Sequence, residues 1–325
     1  MKGRFAPSPT GHIHMGNIWI ALLAYISTRL QGGSFLIRME DIDLQRSKRS
    51  LGEELLDDLE WLGFAWDEGP RVSPNGEDYW QSNRYDYYNA VLEEWQEEGR
   101  IYPCYCNRAR LQSIASAPHL GEHQPLYDGH CRDLSSEERA LAALKKAPSY
   151  RLRVSDSTLT YQDAWQGPQT YHLRAGLDDF VLKRADGMFA YNLAVVLDDA
   201  AMGVTEVIRG ADLLEATGQH LYLYKVLGIE PPTYGHAPLL VDGEGHRLSK
   251  RQQSITVKEL REAGYSPSAI WYHLLSTTGL LGNHNSLRSG GRTHNWTLAE
   301  ILKAYSEGTL DLAPLHQSAI RVHSL

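Results

Sequence analysis

The chain has 325 residues, 42% of them apolar and 22% charged, so its composition is that of a globular protein of roughly two domains. Disordered, collagen-like and disulfide-scaffold classes are excluded. Lys and Arg number 32 against 40 Asp and Glu, a formal charge of −8, which argues against holding nucleic acid by bulk positive charge but leaves room for a local basic face.

In chain order, Lys2 to Ala6 is a short extended run that Pro7, Pro9 and Gly11 break. The N-terminal MKGRFAPSPTG lacks the apolar core of a signal peptide, and no stretch approaches the ~18 apolar residues of a membrane span. A cytoplasmic protein without a membrane partner is therefore expected. From Asn17 to Leu30 the apolar residues Ile18, Ala21, Leu22, Tyr25, Ile26 and Leu30 recur at helical spacing. Gln31-Gly32-Gly33 ends that helix and Ser34 to Met39 returns extended. This βαβ unit predicts a parallel sheet.

Helices are predicted over 49–63 and 83–99. Residues 101–175 hold the cysteines, several histidines, a proline-broken stretch and a charged helix near 135–146, and read as an insertion. Phe180 to Arg184 is extended, Ala185-Asp186-Gly187 is a turn, and Met188 to Leu193 is expected to return as the second arm of a hairpin. Val204 to Arg209 predicts a strand, followed by a helix through Leu213, Leu221 and Val226. Pro231-Pro232 leads to a predicted strand Ala237–Val241 and a polar loop from Asp242 to Arg251. Beyond it the chain is expected to be mostly helical, and irregular after Asn283. The expected fold is α/β: a parallel-sheet nucleotide-binding domain in two halves, 1–100 and 176–255, around an inserted subdomain at 101–175, with a helical region at 256–325.

Several short strings carry chemistry. Ser8-Pro9-Thr10-Gly11 stands between a strand and a helix that starts with His12, His14, Gly16 and Asn17. The free N–H groups and dipole of such a helix start favour phosphate, although a plain helix cap would use the same residues. Gly245-His246-Arg247-Leu248-Ser249-Lys250-Arg251 is a basic loop able to neutralise a polyphosphate, and equally a common kind of solvated surface. Glu40, Asp41 and Asp43 end the second strand, where they could hold an ammonium group or a metal, or cap the next helix. Cys104, Cys106 and Cys131 supply three thiolates of the four ligands that a structural zinc site wants. His130, His119 and His123 are ordinary candidates for the fourth, and buried thiols without metal are the alternative.

The order RFAPSPTG, HMGN, MEDID, YNLAVVLDD, RLSKR resembles the catalytic domain of class I glutamyl-tRNA synthetases over residues 2–255. The resemblance implies a Rossmann-like fold. Only 74 residues follow Arg251, where the full synthetases carry a large anticodon-binding portion. Cys104-Tyr105-Cys106 and Tyr127-Asp128-Gly129-His130-Cys131 match the Cys-x-Cys and Tyr-x-x-x-Cys of a truncated family, the glutamyl-queuosine tRNA(Asp) synthetases.

That resemblance implies a monomeric ligase. It would activate L-glutamate with ATP and Mg²⁺ and attach it to the queuosine base at the wobble position of tRNA(Asp), not to the terminal adenosine. It implies one structural Zn²⁺ on Cys104, Cys106, Tyr127 and Cys131. Arg4 and Arg209 would read the side-chain carboxylate, Ser8 and Glu40 would meet the α-amino group, and Tyr191 would close a pocket completed by Phe5, Ala6 and Pro7. His14 and Lys250 would be catalytic, stabilising phosphate charge, with Gly16, Asn17 and Ser249 seating ATP. For Arg209 the plain alternative is an ion pair with Asp212. Val195 replaces a residue commonly polar in glutamyl synthetases, which is expected to loosen the pocket. The competing functions are a minimal synthetase charging the tRNA 3′ end and a non-catalytic paralogue that binds glutamate or ATP.

Overall fold

In the computed structural model, described over residues 1–107, 110–111, 127–246, 248, 255–282 and 295–322, the chain opens with strand β1 (Lys2–Phe5). Helix α1 (Met15–Leu30) and strand β2 (Ser34–Ile37) follow, and β2 pairs parallel with β1 through Arg4 opposite Leu36. The helix packs closely on its strand: a Cβ on Gly3 would come within 2.0 Å of the Thr28 hydroxyl, so only glycine fits there. Helices α2 (Arg49–Trp61) and α3 (Tyr85–Glu97) stand where the apolar spacing predicts them.

The middle of the chain builds a three-stranded sheet and adds a hairpin to the main one. Strands β3 (Ile101–Cys104) and β4 (Ser149–Leu152) pair antiparallel, with helix α4 (Ser136–Ala143) between them in sequence. The hairpin β5 (Ser157–Asp163) and β6 (Gly167–Leu173) runs out to join the main sheet, and β7 (Val181–Lys183) pairs with β4.

After β7 the expected turn forms, with the Arg184 N–H bonded to the Met188 carbonyl at 2.8 Å and Gly187 at φ 86°. The expected return strand does not. Only Phe189 bridges back to Lys183, and Tyr191–Ala201 is helix α5. Leu193 to Asp199 are all buried, and a continuous apolar run leaves periodicity unable to separate a buried strand from a buried helix.

Strand β8 (Glu206–Gly210) lies against β1, and helix α6 (Thr217–Leu227) leads to β9 (Thr233–Ala237), parallel to β8. The strand expected over Ala237–Val241 is split at Pro238: β9 ends before it, and β10 (Leu239–Val241) leaves the main sheet. Helices α7 (Val257–Glu262), α8 (Pro267–Thr277) and α9 (Leu298–Ser306) follow. Strand β11 (Ala319–Arg321) then pairs parallel with β10, a strand the sequence reading did not contain.

The main sheet has the order β2-β1-β8-β9-β5-β6, parallel except for the β5–β6 hairpin at its edge. A parallel sheet covered by helices buries both faces, which is why β1 and β8 read as nearly continuous buried runs. One core joins α1, α2 and β2 to the C-terminal helices through Ile270, Trp271, Leu274 and Ile301. The Trp271 indole donates to the Leu62 carbonyl at 3.2 Å and packs edge-on to Phe64. A second core joins α3, α5 and α6 to the smaller, three-stranded sheet of β3, β4 and β7. No helix of the described residues is long and apolar enough to cross a membrane.

Candidate active site

A cavity of about 360 Å³ opens where the carboxyl ends of β1 and β8 meet the start of α1. This is the usual ligand position in an open parallel sheet, and the volume suits a small molecule. Arg4, Phe5, Ala6, Pro7, Ser8, His14, Gly16, Asn17, Glu40, Tyr191 and Arg209 all line it. The fold thus brings together residues spread over two hundred positions of chain. Ser249 and Lys250, with Arg247 and Arg251 of the same loop, lie outside the described residues. Leu248 lines the cavity and donates its N–H to the Leu240 carbonyl at 2.9 Å.

The start of α1 is a reciprocal cap. His14 Nδ1 accepts from the Gly16 N–H at 3.2 Å, while the Asn17 side-chain oxygen accepts from the His14 N–H at 3.3 Å. Cap and phosphate-site readings are therefore compatible: with Nδ1 accepting, a neutral His14 carries its proton on Nε2, the nitrogen able to donate to an anion. A Cβ on Gly16 would stand 3.1 Å from the His14 ring, so glycine is what lets the imidazole fold back onto the helix.

Of the three acids after β2, Glu40 alone lines the cavity. Asp41 accepts from the N–H and hydroxyl of Ser82 at 2.9 and 2.6 Å, and Asp43 from the N–H groups of Gln45 and Arg46. Burial pushes the Glu40 carboxyl up, with the Arg38 and Arg4 guanidinium groups opposing. Burial and the nearby Glu40 push the Tyr191 phenol up to about 12, so it stays a neutral hydroxyl.

Beneath these residues is a buried charge network. Arg38, with no solvent exposure, bonds Asp199 at 2.7 Å and Glu40 at 3.1 Å, and its Nε lies 3.7 Å from Asp198. Arg4 lies 3.5 Å from Asp199 and donates to the Ile208 carbonyl. Asp198 also accepts from Arg84, Gln81 and Tyr88. The two aspartates that end YNLAVVLDD have no role implied by the sequence resemblance. The available signal was two adjacent acids closing an apolar helix, which demands buried cations elsewhere.

Arg209 is held by neutral groups. Its Nε donates to His236 Nε2 at 3.0 Å, Nη1 to His220 Nδ1 at 2.9 Å, and Nη2 to the Leu213 carbonyl and the Thr217 hydroxyl at 3.2 and 2.8 Å. Its guanidinium also stacks on Tyr234, 5.1 Å from the ring centre. Among the described residues no carboxylate pairs with it, so the expected alternative, a simple bond to Asp212, is not what holds it. Burial and the charge of Arg209 push His220 well below its ordinary value, and His236 is lowered mainly by burial. A buried arginine facing a cavity with only neutral partners favours an anionic ligand. Val195 sits in the second core and is not among the described cavity-lining residues, so the expected loosening does not arise from direct contact with the cavity.

The sulfur atoms of Cys104, Cys106 and Cys131 lie within 4.8 Å of one another, with Cys106 and Cys131 3.7 Å apart. Zinc–thiolate bonds of ~2.3 Å in a tetrahedron put sulfurs about 3.8 Å apart, so the donor set fits zinc. Tyr127 is buried beside the cluster. Its oxygen accepts the Cys131 N–H at 2.9 Å. His130 is exposed, with its backbone bonded to Asp128, and is no part of the cluster; His119 and His123 lie outside the described residues. Arg151 donates to Cys104 at 3.4 Å and covers the Tyr127 ring, placing positive charge beside the sulfur atoms.

Residues 1–295 match the family model of class I tRNA synthetases (E and Q), catalytic domain. A glutamyl-Q tRNA(Asp) synthetase of Symbiobacterium thermophilum is 48% identical over 288 residues, 88% of this chain and 89% of that protein. Glutamate–tRNA ligase 2 of Syntrophus aciditrophicus is 40% identical over 93% of this chain, but only 61% of its own length is matched. Among solved structures, a glutamate tRNA ligase of Elizabethkingia meningosepticum in complex with its amino acid superposes with a TM-score of 0.78 at 28% identity, covering 100% of this chain and 67% of that one.

Proposed function

Because the chain belongs to the glutamyl-Q tRNA(Asp) synthetases, within the class I tRNA synthetases for glutamate and glutamine, we propose that it activates glutamate with ATP and transfers it to the queuosine base at the wobble position of tRNA(Asp). It would act as a cytoplasmic monomer, leaving the tRNA 3′ end uncharged. The observation that carries the reading is Arg209, buried at the cavity with four neutral partners and no carboxylate among the described residues. Together with Arg4 it suits the side-chain carboxylate of glutamate, while Glu40 and Ser8 suit the α-amino group and Tyr191 and Phe5-Ala6-Pro7 enclose the chain between them.

In the first step the α-carboxylate of glutamate attacks the α-phosphate of ATP and pyrophosphate leaves. No protein nucleophile is needed; orientation and charge stabilisation carry the step. His14 and the α1 start, with Gly16 and Asn17, would hold the phosphates, and Ser249 and Lys250 would neutralise charge on the departing pyrophosphate. Mg²⁺ would arrive with ATP and offset phosphate charge. In the second step a hydroxyl of the queuosine cyclopentene ring attacks the activated carbonyl and releases AMP. A structural zinc on Cys104, Cys106, Cys131 and Tyr127 would tie β3 to the segment that carries Cys131.

The test follows labelled glutamate, with ATP, into tRNA prepared with and without queuosine, and locates the label by ribonuclease digestion. Label on an anticodon fragment only when queuosine is present is expected. Label on the terminal adenosine regardless of queuosine would identify a minimal synthetase instead, and glutamate binding without transfer would identify a non-catalytic paralogue. For the metal, elemental analysis should find one zinc per chain, lost in Cys131→Ser, and chelation should lower the melting temperature. A metal-free protein with an unchanged melting temperature in chelator would remove zinc from the reading.

A further inference from the structure

Arg209 is oriented by a chain of hydrogen bonds that begins outside the β1–β8 pair. Asp163 ends β5, the inner strand of the hairpin at the sheet edge, and is 1% exposed. Its Oδ1 accepts the backbone N–H groups of Trp165, Gln166 and His236 at 3.0, 3.0 and 3.1 Å, while its Oδ2 meets His236 Nδ1 at 2.5 Å. Burial pushes Asp163 up, but the bonds from His236, Gln166 and Trp165 outweigh it and hold the carboxyl below its ordinary value.

The proton positions follow from what each partner is able to do. An ionised Asp163 only accepts, so His236 Nδ1 donates to it. Arg209 only donates, so His236 Nε2 accepts at 3.0 Å. At His220 the same logic runs the other way: Nδ1 accepts from Arg209, which leaves the proton on Nε2 to donate to the Asn192 side-chain oxygen at 2.9 Å. Both histidines are neutral and they carry opposite tautomers. Together with Thr217 and the Leu213 carbonyl they engage four of the five guanidinium N–H groups and set its plane at the cavity wall.

We propose that Asp163, His236 and His220 are positioning residues for substrate recognition: they lock the Arg209 guanidinium by neutral acceptors, so that it is oriented yet keeps its charge for the glutamate carboxylate. Asp163 sits one imidazole away from Arg209. A carboxylate placed directly on Arg209 would orient it as well but would neutralise the charge the substrate needs. The assignment rests on the glutamate-activating reading above.

Asp163→Asn tests it sharply. With Oδ1 pinned by three backbone donors, the amide nitrogen faces His236 Nδ1 and donates to it, which forces the His236 proton onto Nε2, against the Arg209 Nε–H. Glutamate-dependent ATP–pyrophosphate exchange should then show a KM for glutamate raised on the order of 10- to 100-fold, as for outer-shell residues that orient a liganding group, with kcat and the KM for ATP within about 3-fold. Independently, side-chain ¹⁵N spectra of the wild type at neutral pH should show His236 protonated on Nδ1 and His220 on Nε2, with the His220 signals assigned by their loss in His220→Gln.

Wild-type exchange with an unchanged glutamate KM in Asp163→Asn overturns this assignment alone. Absence of glutamate-dependent exchange in the wild type overturns the functional reading and this assignment with it. Should Asp163→Asn fail to fold, the wild-type spectra decide: a charged His236, or one protonated on Nε2, refutes the relay.

Discussion

Arg209→Gln is expected to lower kcat/KM for glutamate in ATP–pyrophosphate exchange by on the order of 10²-fold or more, with the dissociation constant for ATP little changed. A charged, buried hydrogen bond to a carboxylate is worth about 2–5 kcal/mol when one partner is removed, and that loss falls on the substrate side. The variant also strands acceptors: His220 Nδ1 loses its donor, and His236 Nε2 and the Leu213 carbonyl are left to share the single Thr217 hydroxyl proton, at 3.2 and 3.3 Å. Arg209→Lys should rescue little. An ammonium group cannot reach the acceptors on β9 and α6 and still present a planar fork to the ligand. Discrimination against glutamine should narrow in Arg209→Gln, because the unpaired guanidinium that penalises an uncharged amide is gone. Glutamate kinetics within about 3-fold of the wild type would remove Arg209 from the recognition site.

The largest effect on stability is expected at Asp198. This side chain has no exposure and accepts from Gln81 at 2.8 Å, Tyr88 at 2.8 Å and Arg84 at 2.7 Å, with Arg38 Nε 3.7 Å away. Replacing it with alanine leaves two guanidinium groups and two neutral donors around a hole. Breaking a buried charge network from one side costs about 3–5 kcal/mol because the remaining charge is buried without compensation. For a chain of this length that should appear as a melting temperature lower by on the order of 10 °C. The change should also reach the site: Arg38 bonds Glu40, and Asp199 lies beside Arg4, so both cavity residues lean on the same network. A melting temperature within about 2 °C of the wild type would show that the network is not what holds α5 to β2.

Much of the cavity was legible in the chain as written. Proline and glycine mark the turn after β1, the apolar spacing of α1 marks its buried face, and the short strings around Arg4, His14, Glu40 and Tyr191 carry a specific resemblance, which in turn implies Arg209. These are local signals, because a turn, a helix period or a motif is complete within a dozen residues. The cysteine spacing likewise announced a cluster, and the sulfur atoms meet.

Three kinds of feature were settled only when the chain closed on itself. Tyr191–Ala201 became a helix because its apolar run packs on all sides, a decision made by α3, α6 and the smaller sheet rather than by its own pattern. Strand β11 and the split at Pro238 depend on a partner about eighty residues away, and edge pairing over three residues leaves no signature in composition. Asp163, His220 and His236 read as unremarkable polar residues in three separate segments. Sequence alone determined which side chains could bind a carboxylate and a phosphate, since that depends on residue type. The tertiary structure decided which histidine atoms accept, which arginine is held by neutral partners and which aspartates are buried, because desolvation and hydrogen-bond direction exist only between groups already brought together.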